Sequence, residues 1–149
     1  MYKIITFFLF QICVLSVLSA QETIFVKAKS DDATPRLQTA IEQARRLKGK
    51  KVVIQLEQGD YHLYRKSSSK QIYFISNTAS KEENPDPTKH IGLWIKDMKN
   101  LVIDGGGAHL ITHGEMTSFV IDQSKNITLR NFTLKAADPS VTEMEVIDT

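Results

Sequence analysis

The sequence predicts an all-β fold, a right-handed single-stranded parallel β-helix with an amino-terminal capping α-helix. Three observations carry this: a 26-residue pattern written twice, strand-like alternation through most of the chain, and one strong helix signal ahead of the repeats. Setting IGLWIKDMKNLVIDG from Ile91 over TSFVIDQSKNITLRN from Thr117 brings Leu93 onto Phe119, Ile95 onto Ile121, Lys99 onto Lys125, Asn100 onto Asn126, Leu101 onto Ile127 and Ile103 onto Leu129. Apolar residues alternate within each copy, the two-residue period of a strand that shows one face to a core. A unit of two or three short strands cannot bury that face alone, whereas identical units stacked on one another can.

Stacking makes claims about single residues. With coils about 4.8 Å apart, Leu101 lies beneath Ile127 and Ile103 beneath Leu129, so these four, with Phe119 and Ile121, are expected to be almost wholly buried. Asn100 beneath Asn126 makes a corner ladder, since Asn tolerates the left-handed region and bonds to nearby backbone. Asp104 falls near Arg130. That pair reads as a structural ion pair across coils, although a carboxylate there also permits chemistry.

Taken in order, residues 1–20 are a targeting segment: Lys3, an apolar run from Ile4 to Leu18, then Ser19 and Ala20. The run is shorter than the roughly 20 residues that span a bilayer. Cleavage after Ala20 leaves a secreted or periplasmic chain with no cysteine, because the single cysteine, Cys13, lies in the leader. Ile12 precedes Cys13, where lipoprotein processing wants a small residue. After removal of the signal, no membrane association is expected.

Residues 21–149 read as the amino-terminal portion of a β-helix domain, truncated after its second repeat. Ile24, Val26 and Ala28 alternate as a first strand. The helix follows at about residues 35–48, with Asp31 and Asp32 before it, Thr34 as cap, Pro35 at the first position and Leu37, Ala40, Ile41, Ala44 and Leu47 on one face. Arg45, Arg46 and Lys48 complement its dipole and Gly49 ends it. This apolar face suits the open edge of a first coil. Val52, Ile54 and Leu56 form a strand, Gln58-Gly59-Asp60 a turn, and Tyr61 and Leu63 a second strand. Gln71 to Ile75 is a further strand after a polar loop from Tyr64 to Lys70. Ser80 to His90, with two prolines and no apolar pattern, is a protruding loop. The coil repeats run at about 91–116 and 117–142.

The chemistry-bearing residues are sparse. Gly105-Gly106-Gly107 lacks the following helix and the Lys-Ser/Thr of a phosphate loop, so it reads as a tight corner. His109 and His113 are four apart, which separates them by about 13 Å on a strand, so no metal site is expected. Trp94 alternates with Leu93 and Ile95 and therefore faces outward, where it stacks on a sugar ring or packs beneath the Ser80 to His90 loop. Glycoside hydrolysis needs two carboxylates, about 6.5–9.5 Å apart for inversion or about 5 Å for retention. Asp97, Asp104, Glu115, Asp122 and Asp138 are candidates, and none forms a convincing pair. No basic cluster interleaves with aromatics, which argues against nucleic acid.

The run DDATPRLQTAIEQARRLKGKKVVIQLEQGDYHLYR resembles the start of pectate-lyase-like β-helix proteins. KHIGLWIKDMKNLVIDGGGAHLITHG, continuing through SKNITLRNFTLKAADPSVTEMEV, resembles the amino-terminal part of the secreted bacterial α-1,3-galactosidases of glycoside hydrolase family 110. The resemblance implies removal of terminal α-1,3-linked galactose from an oligosaccharide or glycoconjugate, as on blood-group B type glycans, with inversion and without metal or other cofactor. It places the family's catalytic acids in later coils. No catalytic residue is carried over to this chain, and activity of the chain alone is not expected. Its last coil is expected to leave open strand edges that favour self-association. Two other readings stay open: a calcium-dependent polysaccharide lyase of the same fold, and a non-catalytic glycan-binding protein.

Overall fold

The computed structural model describes residues 21–74 and 86–138. The leader, residues 80–85 of the expected loop and the chain after 138 lie outside the described residues. The element order is β1 (Gln21–Val26), α1 (Thr34–Arg46), β2 (Lys51–Leu56), β3 (Asp60–Tyr64), a 3-10 turn (Arg65–Ser67), β4 (Ser69–Ile72), β5 (Thr88–Lys96), β6 (Lys99–His113), β7 (Thr117–Asp122) and β8 (Lys125–Ala136). The structure is therefore all-β apart from α1 and that turn. One sheet runs β1-β2-β6-β8, with β3 beside the second half of β6; the other runs β4-β5-β7. All named pairings are parallel except that of β4 with β5.

The 26-residue offset is the register of the stack. Leu93 pairs with Phe119 and Ile95 with Ile121 between β5 and β7, and Leu101 with Ile127 and Ile103 with Leu129 between β6 and β8. A third copy precedes these two, hidden by its spacing. Val52 pairs with Leu101 and Ile54 with Ile103, while Tyr61 pairs with Leu110 and Leu63 with Thr112, all 49 residues apart. Inward residues of the first copies are fully enclosed: Ile54, Leu56, Tyr61, Leu63, Ile95, Leu101, Ile103 and Leu110. The expectation that all six ladder residues are wholly buried fails for the upper four. Phe119, Ile127 and Leu129 are only partly buried and Ile121 is 46% exposed, because among the described residues no strand lies over β7 and β8.

Corners repeat as faithfully as strands. Asp97 and Gln123 both sit at positive φ (54° and 46°), as do Asn100 and Asn126 (57° and 56°), and the Asn126 side-chain amide donates to Asn100 Oδ1 at 2.9 Å. The period shortens after Asp104, which faces Arg130, because the next pair is Ala108 with Phe132, 24 apart. Three glycines thus oppose the single residue Asn131, itself at φ 58°. Gly105 is required by proximity: a Cβ there would stand 2.4 Å from that of Phe132 and 2.5 Å from the Asn131 carbonyl oxygen. Gly106 and Gly107 turn through positive φ, and β6 continues beyond them as strand.

α1 packs against β1, β2, β3 and β5 and buries Leu37, Ala40, Ile41 and Ala44 in the common core. Its start differs from the expected cap. Ala33 occupies that position without a side-chain bond, and the Thr34 hydroxyl accepts instead from the Tyr64 N–H at 2.9 Å. Asp32 Oδ1 takes the Thr34 N–H, and Ala33 N–H donates to the His62 carbonyl. A bond to β3 wins over a local cap because it joins helix to sheet. Of the expected strand Gln71 to Ile75, Gln71 and Ile72 fall in β4 (Ser69–Ile72), Tyr73 and Phe74 follow it, and Ile75 lies outside the described residues. β4 pairs antiparallel with Thr88 to Ile91, so the end of the expected loop is strand. Cross-strand partners there supply the order that the local sequence pattern does not show.

Candidate functional site

The candidate carboxylates are dispersed rather than paired. Asp104 ends the first straight segment of β6 and is nearly buried. It accepts from Arg130 Nε at 2.9 Å, Asn131 Nδ2 at 3.0 Å and the Gly106 N–H at 3.1 Å. The Asn131 amide first, then the Gly106 N–H and Arg130, hold its carboxyl below the usual range. Asp122, at the end of β7, accepts from the Tyr73 hydroxyl at 2.7 Å and lies 3.4 Å from Lys96 Nζ, and these donors depress its pKa likewise. A general acid needs the opposite shift, toward neutral pH. Asp97 sits in the β5–β6 corner, where its N–H donates to the Asp122 carbonyl, while Glu115 and Asp138 are exposed in other turns. Asp104 and Asp122 therefore stitch layers together, and neither has the environment of a proton donor.

Trp94 does face outward from β5, between the buried Leu93 and Ile95, and is half-buried. Its indole N–H donates to the Tyr73 hydroxyl at 3.0 Å, which in turn donates to Asp122. Lys96 Nζ and Arg45 Cζ lie 5.8 and 5.9 Å from the ring, within reach of cation–π attraction. Arg45 also pairs with Glu42 on α1. The network ties α1, β5, β7 and the strand-end residue Tyr73 into one patch. Sequence spacing gave no sign of it, since Tyr73 meets Asp122 across 49 positions.

Two histidines that the spacing did not link meet in the structure. His109 and His113 stay apart along β6, but His62 Nδ1 on β3 lies 2.8 Å from His113 Nε2. The His113 ring stacks on Tyr64 at 4.3 Å between centroids, with Lys66 Nζ 5.4 Å from the Tyr64 ring. The missed signal is the 49-residue offset, which lays Tyr64 beside His113 and His62 beside Ile111. Among the described residues no cluster of three or more His, Cys, Asp or Glu forms.

No family model matches the chain. Individual proteins do. It is 40% identical over 141 residues to α-1,3-galactosidase A of Bacteroides thetaiotaomicron, an alignment covering 90% of this chain and 25% of that protein. The chain is homologous to the α-1,3-galactosidases. Identity is 30% to α-1,3-galactosidase B of Phocaeicola vulgatus, over 89% of this chain and 23% of that one. It is 34% to α-1,3-galactosidase B of Parabacteroides distasonis, over 78% and 19%. The chain thus spans about a quarter or less of the galactosidases it matches. The sequence resemblance and these alignments agree.

Proposed function

We propose that this chain is the first part of a secreted, inverting glycoside hydrolase that removes terminal α-1,3-linked galactose from glycans. The observation that carries this reading is 40% identity, over nine-tenths of the chain, to a protein named α-1,3-galactosidase. Its architecture in this proposal is a right-handed parallel β-helix whose first coils are β2-β3, β5-β6 and β7-β8, with α1 as the amino-terminal cap. Parallel registers 49 and 26 residues apart support it, as does the strong right-handed preference of parallel crossovers. Residues 21–149 form the amino-terminal portion of that domain, and residues 1–20 direct export and are removed.

In this role the described residues are scaffold. Inversion needs one carboxylic acid to protonate the leaving oxygen and one carboxylate to activate water. The donors around Asp104 and Asp122 hold both below the usual carboxylate range, which suits neither to protonate a leaving oxygen. On this reading the chain alone is inactive, and the substrate of the whole hydrolase is a galactose-terminated oligosaccharide or glycoconjugate.

The test is a chimera in which this chain replaces the matched segment of the Bacteroides thetaiotaomicron protein. Release of galactose from an α-1,3-linked disaccharide supports the proposal. A folded chimera without release overturns it, and calcium-dependent formation of an ultraviolet-absorbing unsaturated sugar would make the chain a lyase component. Mass spectrometry of the exported product, expected to begin at Gln21, tests the address.

A further inference from the structure

We propose that the corner bearing Lys99 and Lys125 is a binding surface for acidic glycans, taking carboxylate or sulfate groups of a polysaccharide laid along the axis of the stack. The two lysines are register partners on β6 and β8, and both are exposed. Neighbouring strands lie about 4.8 Å apart, so two like charges stand side by side, an arrangement that destabilises a sheet. Among the described residues neither ammonium pairs with a carboxylate. Lys50, which precedes Val52 by two residues as Lys99 precedes Leu101, shows the contrast, because Glu22 Oε1 lies 2.6 Å from its Nζ. An anion shared between Lys99 and Lys125 removes the repulsion that the fold leaves in place.

Backbone and amide bonds fix the point from which the lysines project. The Asp97 N–H donates to the Asp122 carbonyl, the Lys125 N–H to that of Met98, and the Asn126 amide to Asn100 Oδ1. Lys99 borders a cleft of about 410 Å3 with Arg45, Lys48 and Asp97, where Arg45 is already paired with Glu42. The adjacent Asn100 and Asn126 border a groove of about 470 Å3 with Lys51, Thr128 and Arg130. Asp97 is the single acid lining either one. Arg130 gives its Nε to Asp104 and remains 56% exposed, so its other donors face solvent. Amides and a hydroxyl in the groove suit sugar hydroxyls, Val102 is its one apolar lining residue, and no aromatic lines either cleft for bases to stack on. Terminal galactose is neutral and makes no use of these cations, so the surface goes beyond the hydrolase reading and does not depend on it.

Titrating the chain at low salt with polygalacturonate, dextran sulfate and neutral dextran should show binding to an acidic polymer and none to dextran, and which acidic polymer binds tells carboxylate from sulfate. Lys99→Gln with Lys125→Gln should weaken that binding by about tenfold, whereas Lys27→Gln with Lys29→Gln, the same charge change at another exposed place, should leave it within about twofold. Stability gives a second readout. Lys125→Gln should melt no lower than the parent chain, and the polymer should raise the melting temperature of the parent more than that of the variant. Circular dichroism confirms that each variant is folded. Failure to bind either acidic polymer, equal losses in the two double variants, or a destabilised Lys125→Gln overturns the surface. Tighter binding to phosphatidylglycerol vesicles or to single-stranded DNA than to the acidic polymers overturns its assignment to glycans.

Discussion

Two layers of this molecule carry the same pattern at the same register and meet opposite fates. Ile95 of β5 is fully buried, and Ile121, paired with it on β7, is 46% exposed. Leu110 of β6 is fully buried while Leu134 of β8, its partner, is 41% exposed. Residue type, strand and corner geometry barely differ between the layers. What differs among the described residues is a neighbour above: β6 lies between β2-β3 and β8, and β5 has β7 beside it and α1 packed against it, whereas β7 and β8 have a described strand on one side alone. In a stacked fold burial belongs to the position in the stack, and the repeat itself cannot disclose it.

The comparison breaks most sharply under charge. Leu110→Asp should place an unpaired carboxylate in the core and unfold the chain, whereas Leu134→Asp should leave the melting temperature almost unchanged. The same contrast applies at the covered end. Ile41→Asp on the buried face of α1 should cost several kcal/mol, and Glu42→Ala on its outer face should be nearly neutral. Equal losses within either pair would mean that the layers are not differently covered.

Truncation gives the next largest effect. Ile95→Ala should destabilise by about 2–5 kcal/mol in denaturant unfolding, as cavities in enclosed cores do. Ile121→Ala should cost no more than about 1 kcal/mol.

Asp104 joins the two layers, so acid should loosen the joint. Its folded pKa lies below the ordinary 3.8. The stability it contributes is present above that value and is lost as pH falls through the folded one. Asp104→Asn should cost about 1 kcal/mol at neutral pH and reduce the slope of stability against pH below about 4. The slope does not vanish, because Asp122 is shifted in the same direction. An unchanged slope would remove Asp104 from the joint.

Smallest is the corner ladder. Asn126→Ala should cost about 1 kcal/mol for holding a Cβ at φ 56°, and Asn126→Gly only a few tenths. Matching losses in both would assign the effect to the lost bond with Asn100 instead of to the backbone.

Much of the fold was legible in the sequence because its information is local. Alternation in Leu93 and Ile95, the Lys-Asn corners and the helix face of Leu37, Ala40, Ile41 and Ala44 each follow from spacing within a few residues. The third repeat copy was not legible, since 49 residues separate Val52 from Leu101 and no fixed period links all three. Thr34 misled for a related reason: its competing partner, the Tyr64 N–H, lies 30 positions away. The site was less legible still. Trp94's outward direction follows from alternation, but Tyr73 and Arg45 reach it from other elements. The His62–His113 contact depends on the unseen 49-residue register.

The corner where three glycines face Asn131 shows how such a chain tolerates insertions and deletions. Offsets of 49, 26 and 24 residues coexist, yet each inward ladder stays aligned. Slack is taken up at the bends and never reaches the next straight segment. A gene of this kind can therefore gain or lose codons at a bend without shifting its core out of frame with itself. Length variation among its kin should cluster at residues 57–59, 105–107 and 114–116, where new surface can be added while the ladders go on as before.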